Sequence, residues 1–264
     1  MFDSHLHSSF SCDSQMDPEA ACDKAIELGL DGIAFTDHLD LDYPGNSIGE
    51  IDFNKYMLYM NDLCKKYEGR LRVIKGIEVG IERHNVEKTK SIVEIHDFDF
   101  IISSIHVLNR NDLCKADFYQ TMTKSEIYGD YLSEVLHSLN IYTDYDAIGH
   151  IGFIQRYCKY DDRTLRYADF SDIFDAIFKK VVTAGKGIEV NSTGYVFGLG
   201  APIPDLDILT RYHELGGEII TTGSDAHKTV RISCDFDLTR DVLLKAGFKY
   251  TAYYKNRKPV FIKL

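Results

Sequence analysis

Asp3-Ser4-His5-Leu6-His7 closes the first apolar run of the chain, and the same event recurs five times downstream. Phe35-Thr36-Asp37-His38, Lys75-Gly76-Ile77-Glu78, Ser103-Ser104-Ile105-His106, Ala147-Ile148-Gly149-His150 and Gly223-Ser224-Asp225-Ala226-His227 each carry an apolar segment to a residue that can ligate a metal. Asp13 follows the first cluster, and Asn191 in Gly187-Ile188-Glu189-Val190-Asn191 divides the longest gap. Side chains alternate along a strand, so His5 and His7 point to one side and can reach one ion; Asp225 and His227 repeat that two-residue spacing. The clusters are about one βα unit apart. That layout suits a barrel whose strands each deliver a residue to a common mouth, with several metal ions there.

Strand-type segments end at Leu6, Thr36, Glu78, His106, His150, Asn191 and Ser224. Helix-type segments lie between them, at residues 17–29, 54–67, 124–139, 169–184 and 205–215. The first is well punctuated: Asp17 can cap it, Pro18 suits its first turn, and Gly29 follows its last. Such alternation predicts parallel strands with helical crossovers. The fold expected is α/β, a distorted (β/α)7 barrel one strand short of a regular one, formed by residues 1–264 as one domain. Its metal site would lie at the C-terminal ends of the strands. Residues 248–264 read as two short strands around Lys255-Asn256-Arg257-Lys258, with no position relative to the barrel implied.

With 264 residues and 44% hydrophobic content the chain can bury a full core. No apolar run approaches the ~20 residues that span a bilayer. The N-terminus has no signal-peptide pattern, and the six cysteines show no C-x-x-C spacing, so a cytoplasmic protein with reduced thiols is expected. A net charge of −11 argues against a nucleic-acid partner. It is compatible with an anionic substrate if ions are bound. Three divalent ions beside Asp13, Glu78 and Asp225 would leave the site at about +3.

Single motifs are weak, because a lone histidine at a strand end is often merely hydrogen-bonded. The joint pattern is strong, since six of the ten histidines fall at or just beyond strand ends. His84, His96, His137 and His213 lack such partners and read as surface or capping residues. Cys12 reads as a bystander thiol beside Asp13. Gly194-Tyr195-Val196-Phe197-Gly198-Leu199-Gly200 has neither the G-x-G-x-x-G spacing nor a Walker lysine. A covalent nucleophile is not expected where metal ions can hold a hydroxide, although Gly45–Gly49 has the G-x-S-x-G spacing and Arg70 and Arg240 lie six residues beyond Cys64 and Cys234.

Taken in order, H-L-H, T-D-H, G-I-E, S-S-I-H, I-G-H and S-D-A-H resemble the motifs of the PHP (polymerase and histidinol phosphatase) family of metal-dependent phosphoesterases. The resemblance runs from about residue 3 to 227. Ile148–Arg156 and Glu189–Gly194 look most like the histidinol-phosphatase branch. The resemblance implies a first metal held by His5, His7, Glu78 and Asp225, and a second bridged by Glu78 and held by His106 and His150. A third would take Asp13, His38 and His227. Many relatives carry histidine where Asp13 stands, and an oxygen ligand there could favour manganese or iron over zinc. Arg156 is the implied phosphate clamp, Asn191 a further substrate contact, and Glu78, Asp225 and His227 the catalytic group.

The implied reaction is hydrolysis of a small phosphorylated metabolite, L-histidinol phosphate, in histidine biosynthesis. Its nucleophile would be a hydroxide held between two ions roughly 3.5–4 Å apart. Asp40, Asp42, Tyr43, Glu50 and Asp52 could wall the alcohol pocket, and Tyr195 could stack on the imidazole. The alternatives are a phosphoesterase for a nucleotide, sugar phosphate or phosphopeptide, a metal-binding domain without catalysis, and an unrelated metal-dependent hydrolase such as an amidohydrolase.

Overall fold

In the computed structural model, residues 1–44, 51–115 and 121–264 are described. Seven strands lie parallel side by side: β1 (Phe2–Leu6), β2 (Gly32–Phe35), β4 (Arg72–Gly80), β5 (Phe100–Ser104), β8 (Ala147–Ile148), β9 (Gly187–Asn191) and β10 (Ile220–Gly223). A two-residue strand, β3 (His38–Leu39), continues past β2 and pairs with β4, setting His38 opposite Glu78, while β6 (Val107–Leu108) and β7 (Asn111–Asp112) form a separate short hairpin. Every residue of β1, β5 and β9 is buried, as expected of parallel strands covered on both faces.

The chain between Ser224 and His227 returns to the first strand. Thr222 Oγ1 donates to the Phe2 carbonyl at 2.7 Å, Asp225 N to the His5 carbonyl at 2.8 Å, and His7 N to the Ala226 carbonyl at 3.0 Å. These bonds nearly close the sheet into the seven-strand barrel read from the sequence.

The predicted helices form with small shifts of boundary. α1 (Pro18–Glu27) is capped by the Asp17 side chain, α2 (Phe53–Tyr67) by Asp52, and α4 (Lys124–Ile141) by a reciprocal Thr123–Glu126 box. α5 (Ser171–Thr183), the single turn α6 (Thr193–Val196) and α7 (Leu206–Glu214) follow. α3 (Val86–Val93) and α8 (Phe236–Ala246) also form, although the sequence reading marks neither; no capping side chain announces either one. Buried Tyr56 on α2 ties helix to sheet, donating to the Gly76 carbonyl at 2.7 Å.

The C-terminal segment is an antiparallel hairpin, β11 (Tyr250–Lys255) and β12 (Lys258–Lys263). It lies at the N-terminal ends of the barrel strands, opposite the ligand-bearing ends. Tyr253 stacks on Phe2 and Tyr254 on Phe100, while Lys255 reaches Asp99 and Arg257 reaches Asp146. Among the described residues no helix is long and apolar enough to cross a membrane.

Candidate metal centre

His5 ends the regular part of β1, and His7 lies just past it. Their Nε2 atoms are 3.0 Å apart. His7 Nε2 stands 3.1 Å from Asp225 Oδ1, and Glu78 Oε2 lies 3.4 Å from His5 Nε2 and 3.5 Å from His7 Nε2. Ligands ~2.0–2.2 Å from a tetrahedral ion are separated by about 3.3–3.6 Å. The four residues therefore already stand at nearly that spacing. Glu78 Oε2 is buried among three imidazoles, with His38 Nδ1 at 3.0 Å, yet none of these contacts has hydrogen-bond geometry. A buried carboxylate oxygen so surrounded by imidazole nitrogens fits a cation.

The other oxygen of Glu78 belongs to a second cluster. Oε1 lies 2.9 Å from His150 Nε2 and 3.2 Å from His106 Nε2, and it accepts from Ser104 Oγ at 2.6 Å. One buried carboxylate thus faces both groups, as a bridging ligand must. A third cluster sits nearer the rim: Asp13 Oδ2 is 2.9 Å from His227 Nε2 and 3.5 Å from His38 Nε2. All nine residues singled out as ligands converge here. Asp225 reaches its place with φ +51°, a left-handed backbone that Asp tolerates better than most residues.

The site's electrostatics are those of packed opposite charges. Burial opposes ionisation of Glu78 and Asp225, but neighbouring imidazoles, His5 first in each case, hold both well below the usual carboxylate range. Burial likewise disfavours charge on His106, yet Asp40 and Glu78 raise its pKa to about 10. His7 goes the other way, to about 3, through burial and the charges of His38 and His227. Divalent ions would take the place of the protons that now balance these carboxylates.

Two supporting carboxylates escape a search for residues at strand ends. Asp40, just past β3, has a side chain only 6% exposed; its Oδ1 is 2.9 Å from His106 Nδ1 and its Oδ2 is 3.2 Å from His38 Nδ1. Glu189, inside β9, lies 2.6 Å from His5 Nδ1 through Oε1 and accepts from the His150 backbone N–H at 2.7 Å through Oε2. A mid-strand acidic residue in an otherwise apolar run, as in Gly187-Ile188-Glu189-Val190, is the signal that could have revealed Glu189. Asp37 is also buried; it binds Ser8 and Ser11 and so fixes the loop that leads to Asp13.

Arg156 ends a 3₁₀ turn, Phe153–Arg156, just beyond His150. Its Nη1 donates to Asp225 Oδ2 at 2.7 Å, and its guanidinium lies over Phe153 and Phe197 at 4.8 and 5.7 Å. Nε and Nη2 are buried without partners among the described residues. Arg156 lines a cavity of about 270 Å³ with Asp13, His38, Glu78, His106, His150, Asp225 and His227; Tyr43, Cys114, Phe153 and Tyr157 form a second wall.

Several expected substrate contacts lie elsewhere. Asn191 is fully buried, its Oδ1 accepts from Thr193, and it is not part of the cavity lining. Asp52 caps α2, Asp42 lies near His84, Tyr195 is outside the lining, and Glu50 falls outside the described residues. Asp40 lines the cavity, but both its oxygens face histidines. Among the described members of the expected wall, Tyr43 joins Asp40 in lining the cavity. Its hydroxyl donates to Asp112 at 2.5 Å.

Residues 3–193 match the family model described as PHP domain. The chain belongs to the PHP-domain family. Over its whole length it is 35% identical to a Clostridium acetobutylicum protein named "Probable histidinol-phosphatase", covering 97% of that protein. It is 28% identical to the histidinol-phosphatase of Lactococcus lactis, with 97% of this chain and 95% of the relative aligned. A crystal structure of the Lactococcus lactis histidinol phosphate phosphatase, complexed with zinc, L-histidinol and phosphate, superposes with a TM-score of 0.90 at 27% identity and covers 98% of both chains. A PHP-domain chain with the three clusters described thus shares its barrel, end to end, with a zinc-binding member of the family.

Proposed function

We propose that this PHP-family chain is a metal-dependent phosphomonoesterase that hydrolyses L-histidinol phosphate to L-histidinol and phosphate. The observation that carries the reading is the placement of Glu78 between two ligand clusters, with the guanidinium of Arg156 buried in the same cavity. The names of full-length relatives, and the L-histidinol and phosphate bound by the Lactococcus lactis enzyme, support the substrate.

His5, His7, Glu78 and Asp225 are the residues to hold one divalent ion, Glu78, His106 and His150 a second, and Asp13, His38 and His227 a third. Zinc is the ion of the solved relative; the imidazole–carboxylate donor sets would also accept manganese or iron. Bound divalent ions supply an acidified water and neutralise charge on phosphoryl oxygens. Arg156 adds a rigid fork of donors beside them. Asp225 holds one guanidinium nitrogen and leaves Nε and Nη2 for substrate oxygens. Because Asp225 touches both Arg156 and the imidazole of His7, it fixes the clamp relative to the first cluster. Glu78, Asp225 and His227 are catalytic through what they hold.

The second wall, Tyr43, Cys114, Phe153 and Tyr157, offers ring faces to the imidazole of the alcohol. Remote contacts of that kind orient the ester for in-line attack and raise selectivity over esters that lack them.

The test is phosphate release from L-histidinol phosphate, a nucleoside monophosphate, a sugar phosphate and a phosphotyrosine peptide, each with zinc or manganese added back. L-Histidinol phosphate should give the highest kcat/KM by a wide margin. Equal or faster turnover of another ester at low concentration would overturn the substrate assignment.

A further inference from the structure

Glu189 does more than occupy a strand. It lies in the middle of β9 and is fully buried, and its direct ion-pair contact is with His5 rather than with a lysine or arginine. Burying a carboxylate this deeply is costly unless its oxygens are satisfied. Both are: Oε1 by His5 Nδ1 at 2.6 Å, Oε2 by the His150 backbone N–H at 2.7 Å. The backbone around it has made room, since a side chain at Gly223 on neighbouring β10 would collide with Glu189 Oε1.

We propose that Glu189 is a positioning residue that fixes the tautomer of His5 and the place of His150, and so presets two metal clusters at once. This rests on the metal reading above. The chemistry is specific. A carboxylate can only accept, so the His5 proton must sit on Nδ1, and the lone pair of Nε2 is left aimed at His7, Glu78 and Asp225. The same carboxylate holds the backbone at His150, whose Nε2 meets the other oxygen of Glu78.

The arrangement makes an unusual ranking of variants. In Glu189→Gln one carboxylate oxygen becomes an NH2. The His150 backbone N–H cannot change its role, so the remaining amide oxygen must face it. The new NH2 then faces His5 Nδ1, which has to accept, and the His5 proton moves to Nε2, where it blocks the ligand lone pair. Glu189→Ala removes the same charge but imposes no wrong donor; His5 keeps free choice of tautomer. Glutamine fills the space better than alanine, so a merely structural role predicts the reverse order.

His5, His150 and Glu189 also lie close enough to hold an ion among themselves. Direct ligation by Glu189 would make alanine at least as harmful as glutamine.

The experiment is zinc titration of the metal-stripped full chain and both variants against a chromophoric chelator. Far-UV circular dichroism and thermal unfolding report the fold. Outer-shell partners of metal-bound histidines contribute about 10–100-fold in affinity. Glu189→Gln should weaken the tightest site by about 100-fold and Glu189→Ala by about 10-fold. Alanine as harmful as glutamine, or glutamine binding as tightly as wild type, overturns the proposal and leaves the metal reading standing. Wild type that takes up fewer than two ions overturns the metal reading and the proposal with it.

Discussion

Replacing Arg156 by alanine isolates the contribution of the guanidinium to phosphate recognition. In the structure one nitrogen is committed to Asp225 at 2.7 Å, while Nε and Nη2 are buried without partners among the described residues. Phe153 and Phe197 pack on the plane and fix its orientation. A hydrogen bond to a charged group contributes about 1.5–3 kcal/mol. In kcat/KM that corresponds to a loss of about 10- to 150-fold, provided the interaction is made with the transition state. Arg156→Lys retains the charge but not the fork or the ring stacking, and should fall between wild type and alanine. Metal content should not drop in either variant, because Asp225, freed of its partner, still faces His5 and His7. The assay is steady-state hydrolysis of L-histidinol phosphate, with inhibition by inorganic phosphate measured in parallel. Both kcat/KM and phosphate affinity should weaken together. An alanine variant with unchanged phosphate inhibition and unchanged kcat/KM would leave Arg156 a structural partner of Asp225 and no phosphate clamp.

Glu78→Gln is expected to be the most damaging carboxylate change, because its two oxygens face different clusters; elemental analysis should show loss from both, not one. Arg257→Ala should destabilise the fold by about 2–3 kcal/mol. That is below the ~3–5 kcal/mol of a fully buried pair, since Arg257 is 29% exposed. Burial raises the pKa of Asp146 and Arg257 opposes that rise, so removing the arginine raises it further. A raised folded-state pKa gives stability that is fully present below the unfolded-state pKa and is lost as pH rises through the folded-state value. The Tm deficit of the variant relative to wild type should therefore be larger at pH 8 than at pH 5. A deficit that grows on acidification would contradict this account.

Much of the barrel was legible because ligand-bearing positions coincide with strand ends, where a parallel barrel must gather them. His5, His7, Glu78 and Asp225 declare themselves by spacing, and the punctuation of α1 by Asp17 and Pro18 is local chemistry that the fold leaves untouched. What stayed hidden depends on pairs distant in sequence. Glu189 and His5 are brought together only when β9 and β1 enter the same barrel. Asp40 read as a free carboxylate in an acidic loop, yet the short strand β3 turns it inward onto His106 and His38. Asn191 shows the converse: a polar residue at a strand end is as well suited to bracing the turn at Thr193 as to meeting a ligand. Of the aromatic residues the sequence offers, Tyr43 lines the cavity and Tyr195 does not, whereas Phe153 and Tyr157 reach it from a 3₁₀ turn and its C-cap that no periodicity announces.

Titrating zinc into the metal-stripped chain, while following phosphate release from L-histidinol phosphate, shows whether ions gathered around Glu78 make this barrel a phosphatase for that ester. No turnover is expected without ions, followed by a rise that saturates only when two or three are bound per chain. Full turnover in the stripped chain, or saturation at a single ion, would contradict that expectation.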